Sequence, residues 1–141
     1  MKVINRRDLF SALPAFAAQS SGKAILSESE VFSLDRMPVT TRPNGAKSWS
    51  ILHGELATGE VIALHESMQP PGIAPDPPHA IRHSECIFVE QGTLLFKHDG
   101  KSEQVGAGGV IFVAFGTNHS ARNIGDGPAQ YLVVAIGGDT K

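Results

Sequence analysis

Six histidines, at positions 53, 65, 79, 83, 98 and 119, are the most chemically capable side chains in this 141-residue sequence. His79, His83 and Glu85 fall close together in the run His79-Ala80-Ile81-Arg82-His83-Ser84-Glu85, and His119 follows in a second, glycine-led segment, Gly109 to Asn123. Imidazole nitrogens and a carboxylate oxygen together make a ligand set for a divalent cation or an acid–base pair. On a β-strand, alternate side chains share a face, so Glu85, Ile87 and Val89 point one way, and His119, Ala121 and Asn123 form another such row. Glu85 and His119 on neighbouring strands, with His79 arriving from a loop, can therefore converge on one ion. Two histidines and a carboxylate leave coordination positions open for water, dioxygen or a chelating substrate. That set suits iron or manganese first, with zinc, nickel and copper as competitors. The alternative is a metal-free cluster in which the same three groups bond to one another, and an ionised Glu85 there would still need an imidazolium partner.

The elements that must position these groups are short apolar runs separated by turn residues. Asn44-Gly45, Thr58-Gly59, Asp99-Gly100 and Gly125-Asp126-Gly127-Pro128 punctuate the chain, and Asn-Gly and Asp-Gly tolerate the positive φ of tight hairpins. Strands are expected over 48–56, 61–68, 85–90, 93–98, 103–105, 110–113, 119–123 and 130–136, with weaker ones near 31–34 and 39–42. Nine or ten short strands at this spacing indicate an all-β sandwich or barrel. The proline-rich stretch from Gln69 to Pro78 must be a loop, because proline has no amide hydrogen for a ladder.

The two histidine-bearing segments resemble the two motifs of the cupin superfamily. The first motif has two histidines separated by one residue, then a glutamate, then a glycine six residues further on; His79, Glu85 and Gly92 fill three of these places. The second is matched by Gly108, Gly116, His119 and Asn123, with Ala114 where a proline is usual. Ile81 occupies the place of the second histidine, normally a ligand. The resemblance covers approximately residues 48–137. It implies a cupin double-stranded β-helix, a small antiparallel β-barrel or jelly roll, with the domain at residues 39–141 and an N-terminal arm at 19–38. It also implies a divalent metal ion on His79, Glu85 and His119, with Glu85 able to dissociate and act as a base. His83, His65 and Asn123 are further candidates for the ligand set or its supporting shell. His83 could replace the missing histidine, although related sequences often carry a non-ligating histidine just before the glutamate. His65 shares a face with Val61, Ala63 and Ser67, and is either cavity-facing or a hydrogen-bonded core histidine. The family further implies a homodimer, for which residues 25–39 offer an edge.

Composition narrows the field. With 12 basic and 14 acidic residues there is no electrostatic footprint for nucleic acid. No apolar stretch reaches the roughly 20 residues a membrane-crossing helix needs. The single cysteine, Cys86, excludes an internal disulfide framework; it alternates with Glu85 and reads as a small buried hydrophobe. His53 and His98 lie beside turns and read as solvated. Trp49 and Phe88, Phe96, Phe112 and Phe115 read as core or interface residues, and Arg82 and Arg122 as surface charges or receptors for an anionic substrate. Residues 1–18, with Arg6-Arg7 ahead of a short apolar run and Ala15-Phe16-Ala17, resemble a twin-arginine export signal. The expected location is therefore periplasmic or secreted, or cytoplasmic if that segment is a packed helix instead.

Two functions of different class follow. One is a metal-dependent oxygenase, isomerase or lyase acting on a small oxygenated molecule. The other is a non-catalytic cupin that holds a small ligand without metal. Fold alone does not choose between them.

Overall fold

Turn residues lay out the chain as the sequence leads one to expect. Asp99 (φ 46°) and Gly100 (φ 73°) form the two-residue loop of a hairpin whose last ladder pair is His98 with Lys101, the signature of a type I′ turn. The computed structural model describes residues 24–140, and the export-signal expectation for residues 1–18 lies outside them. The strands are β1 (Ile25–Leu26), β2 (Val39–Thr41), β3 (Lys47–Leu56), β4 (Val61–Gln69), β5 (His79–Ala80), β6 (Ser84–Gln91), β7 (Thr93–His98), β8 (Lys101–Gly106), β9 (Val110–Val113), β10 (Asn118–Asn123) and β11 (Ala129–Ile136). A single 3-10 turn spans Leu34–Arg36, and no α-helix occurs among the described residues.

The strands form two sheets. The larger runs β1-β3-β4-β11-β6-β9, with β2 added on β3, and the smaller runs β5-β10-β7-β8. Apart from the parallel β1–β3 contact, the pairings are antiparallel. This is the expected all-β jelly roll. Inward residues of both sheets, among them Ile87, Val89, Leu94, Phe96, Ile111, Val113 and Val133, meet in one core. Leu94 and Val113 are fully buried.

Two expectations need correction, the strand near 31–34 and the loop at His79. The segment near 31–34 is not a strand: Val31 is 92% exposed and the chain turns in a 3-10 conformation just after it. Apolar content alone suggested a strand there, but no ladder partner is in reach. Conversely, β1 and β5 are two-residue strands that exist only because a neighbour pairs with them. Of the four phenylalanines read as core or interface, Phe96 is core, and Phe88, Phe112 and Phe115 are exposed in the single chain. Phe88 pairs with Val110 and Cys86 with Phe112 across β6 and β9, on the face opposite Glu85 and Ile87.

The outer face of the larger sheet carries an acid that its own geometry disfavours. Glu66 is 4% exposed and its Oε1 has no hydrogen-bond partner. It shares a cavity with Glu90, Ile51 and Leu132, roofed by Phe32, Leu34 and Met37 of the N-terminal arm. Burial first, and the Glu90 charge second, push the Glu66 carboxyl up to about 7, against a hydrogen bond from Gln130 that lowers it. A carboxyl whose pKa is raised on folding favours the folded state below its unfolded value near 4.5, and that advantage is lost as pH rises through about 7. Glu66→Gln should therefore raise the melting temperature at pH 8, with little effect at pH 5, and flatten the pH dependence in between. Thermal melts of the two proteins at both pH values check this.

Candidate functional site

The two sheets bring the motif residues to one end of the barrel interior. β10 lies between β5 and β7, and His119 is directly opposite His79 on one side and His98 on the other. The turn into β10 uses Gly116 (φ 80°), whose N–H donates to the Ile81 carbonyl at 2.9 Å. This bond adds to the β5–β10 and β6–β9 ladders that tie the second motif to the first. On the facing sheet, β11 separates β6 from β4: Ala135 is opposite both Glu85 and Ala63, and Val133 opposite both Ile87 and His65. Gly92 (φ 79°) closes β6, where a Cβ would come 2.7 Å from the Pro128 carbonyl oxygen, so the motif glycine is fixed by backbone approach.

His119 is 4% exposed and held in one tautomer. Its Nδ1 lies 3.0 Å from the Thr117 carbonyl. A carbonyl only accepts, so Nδ1 carries a proton, and in the neutral ring the lone pair lies on Nε2. That Nε2 stands 4.0 Å from Glu85 Oε2. The other carboxylate oxygen, Oε1, receives a hydrogen bond of 2.8 Å from His83 Nε2, and His83 Nδ1 lies 3.5 Å from Asp139 Oδ1. His79 sets its ring against His119, with centroids 4.7 Å apart and planes tilted by 47°. His83 thus steadies Glu85 instead of facing His119. Ile81, at the position of the missing histidine, is buried in the core cluster. Burial of such a side chain stabilises by roughly 1.5–3 kcal/mol, which a polar ligand there would forgo.

A cavity of about 240 Å³ adjoins this cluster, lined by His65, His79, Glu85 and His119 together with the buried Gln69 and Tyr131 and the exposed Arg42 and Asp76. His65 is therefore a cavity residue. Burial, the largest influence, lowers its pKa; the Glu85 charge opposes this, and Arg42 and His83 add to it, so the imidazole is neutral at pH 7. Gln69 Nε2 donates to the Tyr131 hydroxyl at 2.9 Å and to the Ala121 carbonyl at 3.2 Å. Asn123 does not reach the cluster. Its backbone N–H donates to Gln69 Oε1 (2.8 Å), its Nδ2 to the carbonyls of Gln69 (3.0 Å) and Gly127 (2.8 Å), and its Oδ1 accepts from the Gly125 N–H (2.9 Å). It is the clasp between the end of β4 and the β10–β11 turn.

Other placements differ from expectation. His98 is not simply solvated: Nε2 contacts Glu103 (2.7 Å), Nδ1 contacts Asp99 (2.9 Å), and the ring stacks on Phe96 at 4.7 Å. The bonds to Glu103 and then Asp99 raise its pKa. His53 is exposed, as expected. Arg82 is exposed and Arg122 lines a separate cleft beside Pro71 and Gly72, so neither serves the barrel cavity. The arginine that does is Arg42, which the sequence did not single out because it lies far from both motifs.

The donor chemistry of this end suits a divalent cation: one tautomer-fixed imidazole with its free nitrogen turned inward, one carboxylate oxygen opposite it, and a second imidazole alongside. The spacing is that of an open set. Among the described residues no three His, Cys, Asp or Glu side chains are gathered closely enough to form a ready metal cage.

Fold and cavity define a small single-barrel protein of the jelly-roll class, with an inward-facing histidine–glutamate cluster. The chain belongs to the cupin family, since residues 64–135 match the model described as "Cupin domain". Comparison with curated sequences finds no match. Among solved structures it is similar to an RmlC-like cupin from Shewanella frigidimarina, at 20% identity and a TM-score of 0.64, covering 79% of this chain and 94% of the other. It is similar to a predicted oxalate decarboxylase from Thermotoga maritima, at 19% identity and a TM-score of 0.61, covering 76% and 98%. A third is the polyketide cyclase RemF from Streptomyces resistomycificus, at 17% identity and a TM-score of 0.60, covering 81% and 87%. The dissimilar activities in these names show how far one barrel serves different chemistries.

The Asn123 clasp gives a direct test of its structural role. Asn123→Ala removes three side-chain bonds and orphans buried backbone groups, and should destabilise the protein by on the order of 3 kcal/mol in chemical denaturation. Metal content of the folded variant should not change.

Proposed function

We propose that this cupin binds a divalent cation between His119, Glu85 and His79 and acts on a small oxygenated molecule in the barrel cavity, as an oxygenase, isomerase or lyase. The observation that carries the reading is the approach of His119 Nε2 and Glu85 Oε2 to 4.0 Å at a buried end of the cavity, which with the ring neutral sets two electron-pair donors face to face. Two such donors repel in a low-dielectric site unless positive charge stands with them. A bound iron or manganese ion would supply Lewis-acid polarisation of a substrate oxygen. The chain's own residues do the rest. Thr117 holds the His119 ring by Nδ1, His83 fixes the Glu85 carboxylate by Oε1, and Glu85, once dissociated from the ion, would be the base that takes a proton from bound substrate. Neutral His65, two strands away on the same sheet, is a second proton acceptor.

One observation favours a different reading, a metal-free cupin that holds a small ligand without transforming it. Ile81 fills a ligand position with hydrocarbon, and the remaining donors form an open set. Pairing into a homodimer is supported by the exposed apolar side chains Ile25, Val31 and Val39 on and beside the arm, and Phe88, Val110 and Phe112 on the outer sheet face. Export through residues 1–18 remains part of the proposal on sequence grounds alone. No helix among the described residues is long and apolar enough to cross a membrane.

Elemental analysis of protein purified without chelators decides between the two readings. The cation reading expects close to one equivalent of iron or manganese, lost in both His119→Ala and Glu85→Gln. Ile81→His should bind the same ion at least tenfold more tightly. A metal-free preparation that also fails to take up manganese or ferrous ion by equilibrium dialysis supports the simple binder.

A further inference from the structure

The outer half of the cavity contains a charged pair that the metal cluster does not explain. Arg42 Nη1 lies 3.0 Å from Asp76 Oδ2, joining residues 34 positions apart, and both side chains line the same cavity as His119 and Glu85. Each is presented from a stiff piece of backbone. Arg42 opens the β2–β3 turn, where its N–H donates to the Ala46 carbonyl (2.8 Å) and its carbonyl accepts from the Gly45 N–H (2.9 Å). Asp76 sits between Pro75 and Pro77 in the proline-rich loop, with φ locked on either side.

The pair is built to exchange. The two side chains are 59% and 51% exposed, and an exposed ion pair contributes only about 0–1 kcal/mol. A guanidinium so weakly engaged yields readily to a carboxylate that also gains contacts inside the cavity. Burial is the largest influence on both neighbouring groups, lowering the His65 pKa and raising that of Tyr131; the Arg42 charge adds to the first and opposes the second. Tyr131, Gln69 and Ser67 add polar groups to the lining of the same cavity.

We infer that the cavity takes a substrate bearing a carboxylate, that Arg42 is the residue that receives it, and that Asp76 is an internal stand-in for that carboxylate in the free protein. The inference rests on the barrel cavity being the substrate site proposed above, and not on the identity of the ion. Arg42 is thereby a specificity-determining residue at the mouth, one end of the substrate being anchored there and the other directed toward Glu85 and His119.

Succinate and its uncharged isostere succinamide are suitable probes, titrated calorimetrically into the full chain after chelator treatment and again after manganese loading. Succinate should bind and succinamide should not. Arg42→Gln should weaken succinate roughly 10- to 100-fold, with Arg42→Lys recovering part of the loss. Asp76→Asn should tighten it about two- to fivefold, because the competing carboxylate is gone. That gain distinguishes a stand-in from a mere strut, whose removal would weaken binding. Equal affinity in Arg42→Gln, weaker binding in Asp76→Asn, or no succinate binding in either the unaltered chain or Asp76→Asn overturns the inference. His119→Ala separates the two proposals: loss of manganese with retained, Arg42-dependent succinate binding upholds both, whereas retained manganese sinks the cation assignment alone.

Discussion

The Nε2 of His119, turned toward an oxygen of Glu85 in a buried pocket, is the constraint around which this barrel is arranged. Neither atom can turn away cheaply. The Thr117 carbonyl fixes the His119 ring through Nδ1, and His83 fixes Glu85 through its other oxygen. The two residues come from different sheets, so their approach depends on the whole β-sandwich closing correctly. The Gly116 bond to the Ile81 carbonyl links the chain entering β10 to the chain entering β6. The position that in the resembling motif carries a ligand thus contributes its backbone to the site and its side chain to the core.

How much of this was legible depended on range. Strand periodicity placed Glu85 and His119 on inward faces, because alternation is a local property that one residue of slippage would reverse. Thr93–His98 and Val110–Val113 matched their expected spans because turn residues bound them on both sides. The two-residue strands Ile25–Leu26 and His79–Ala80 carry no such signal, since each is defined by its partner strand. His79 was assigned to a loop, and its pairing opposite His119 is a tertiary fact.

The functional environment was harder to foresee than the cluster itself. Gln69, Tyr131 and Arg42 reach the cavity from three separate segments, and nothing in their local sequence distinguishes them from ordinary strand and turn residues. Asn123, which does stand in motif register, turned out to brace the β10–β11 turn through Gln69 and Gly127. Its spacing from His119 was informative about fold. His98 illustrates the same limit: beside a hairpin it looks free, but two carboxylates placed by that hairpin enclose it.

The central claim is that His119 Nε2 and Glu85 Oε2 face each other as joint ligands of a cation. Anomalous diffraction at the manganese edge, from crystals grown with manganese, tests it most directly. The account predicts a single strong peak within bonding distance of both atoms, with His79 beside it. A map without a peak there, and with His119 Nε2 within hydrogen-bond distance of Glu85 Oε2, would contradict it.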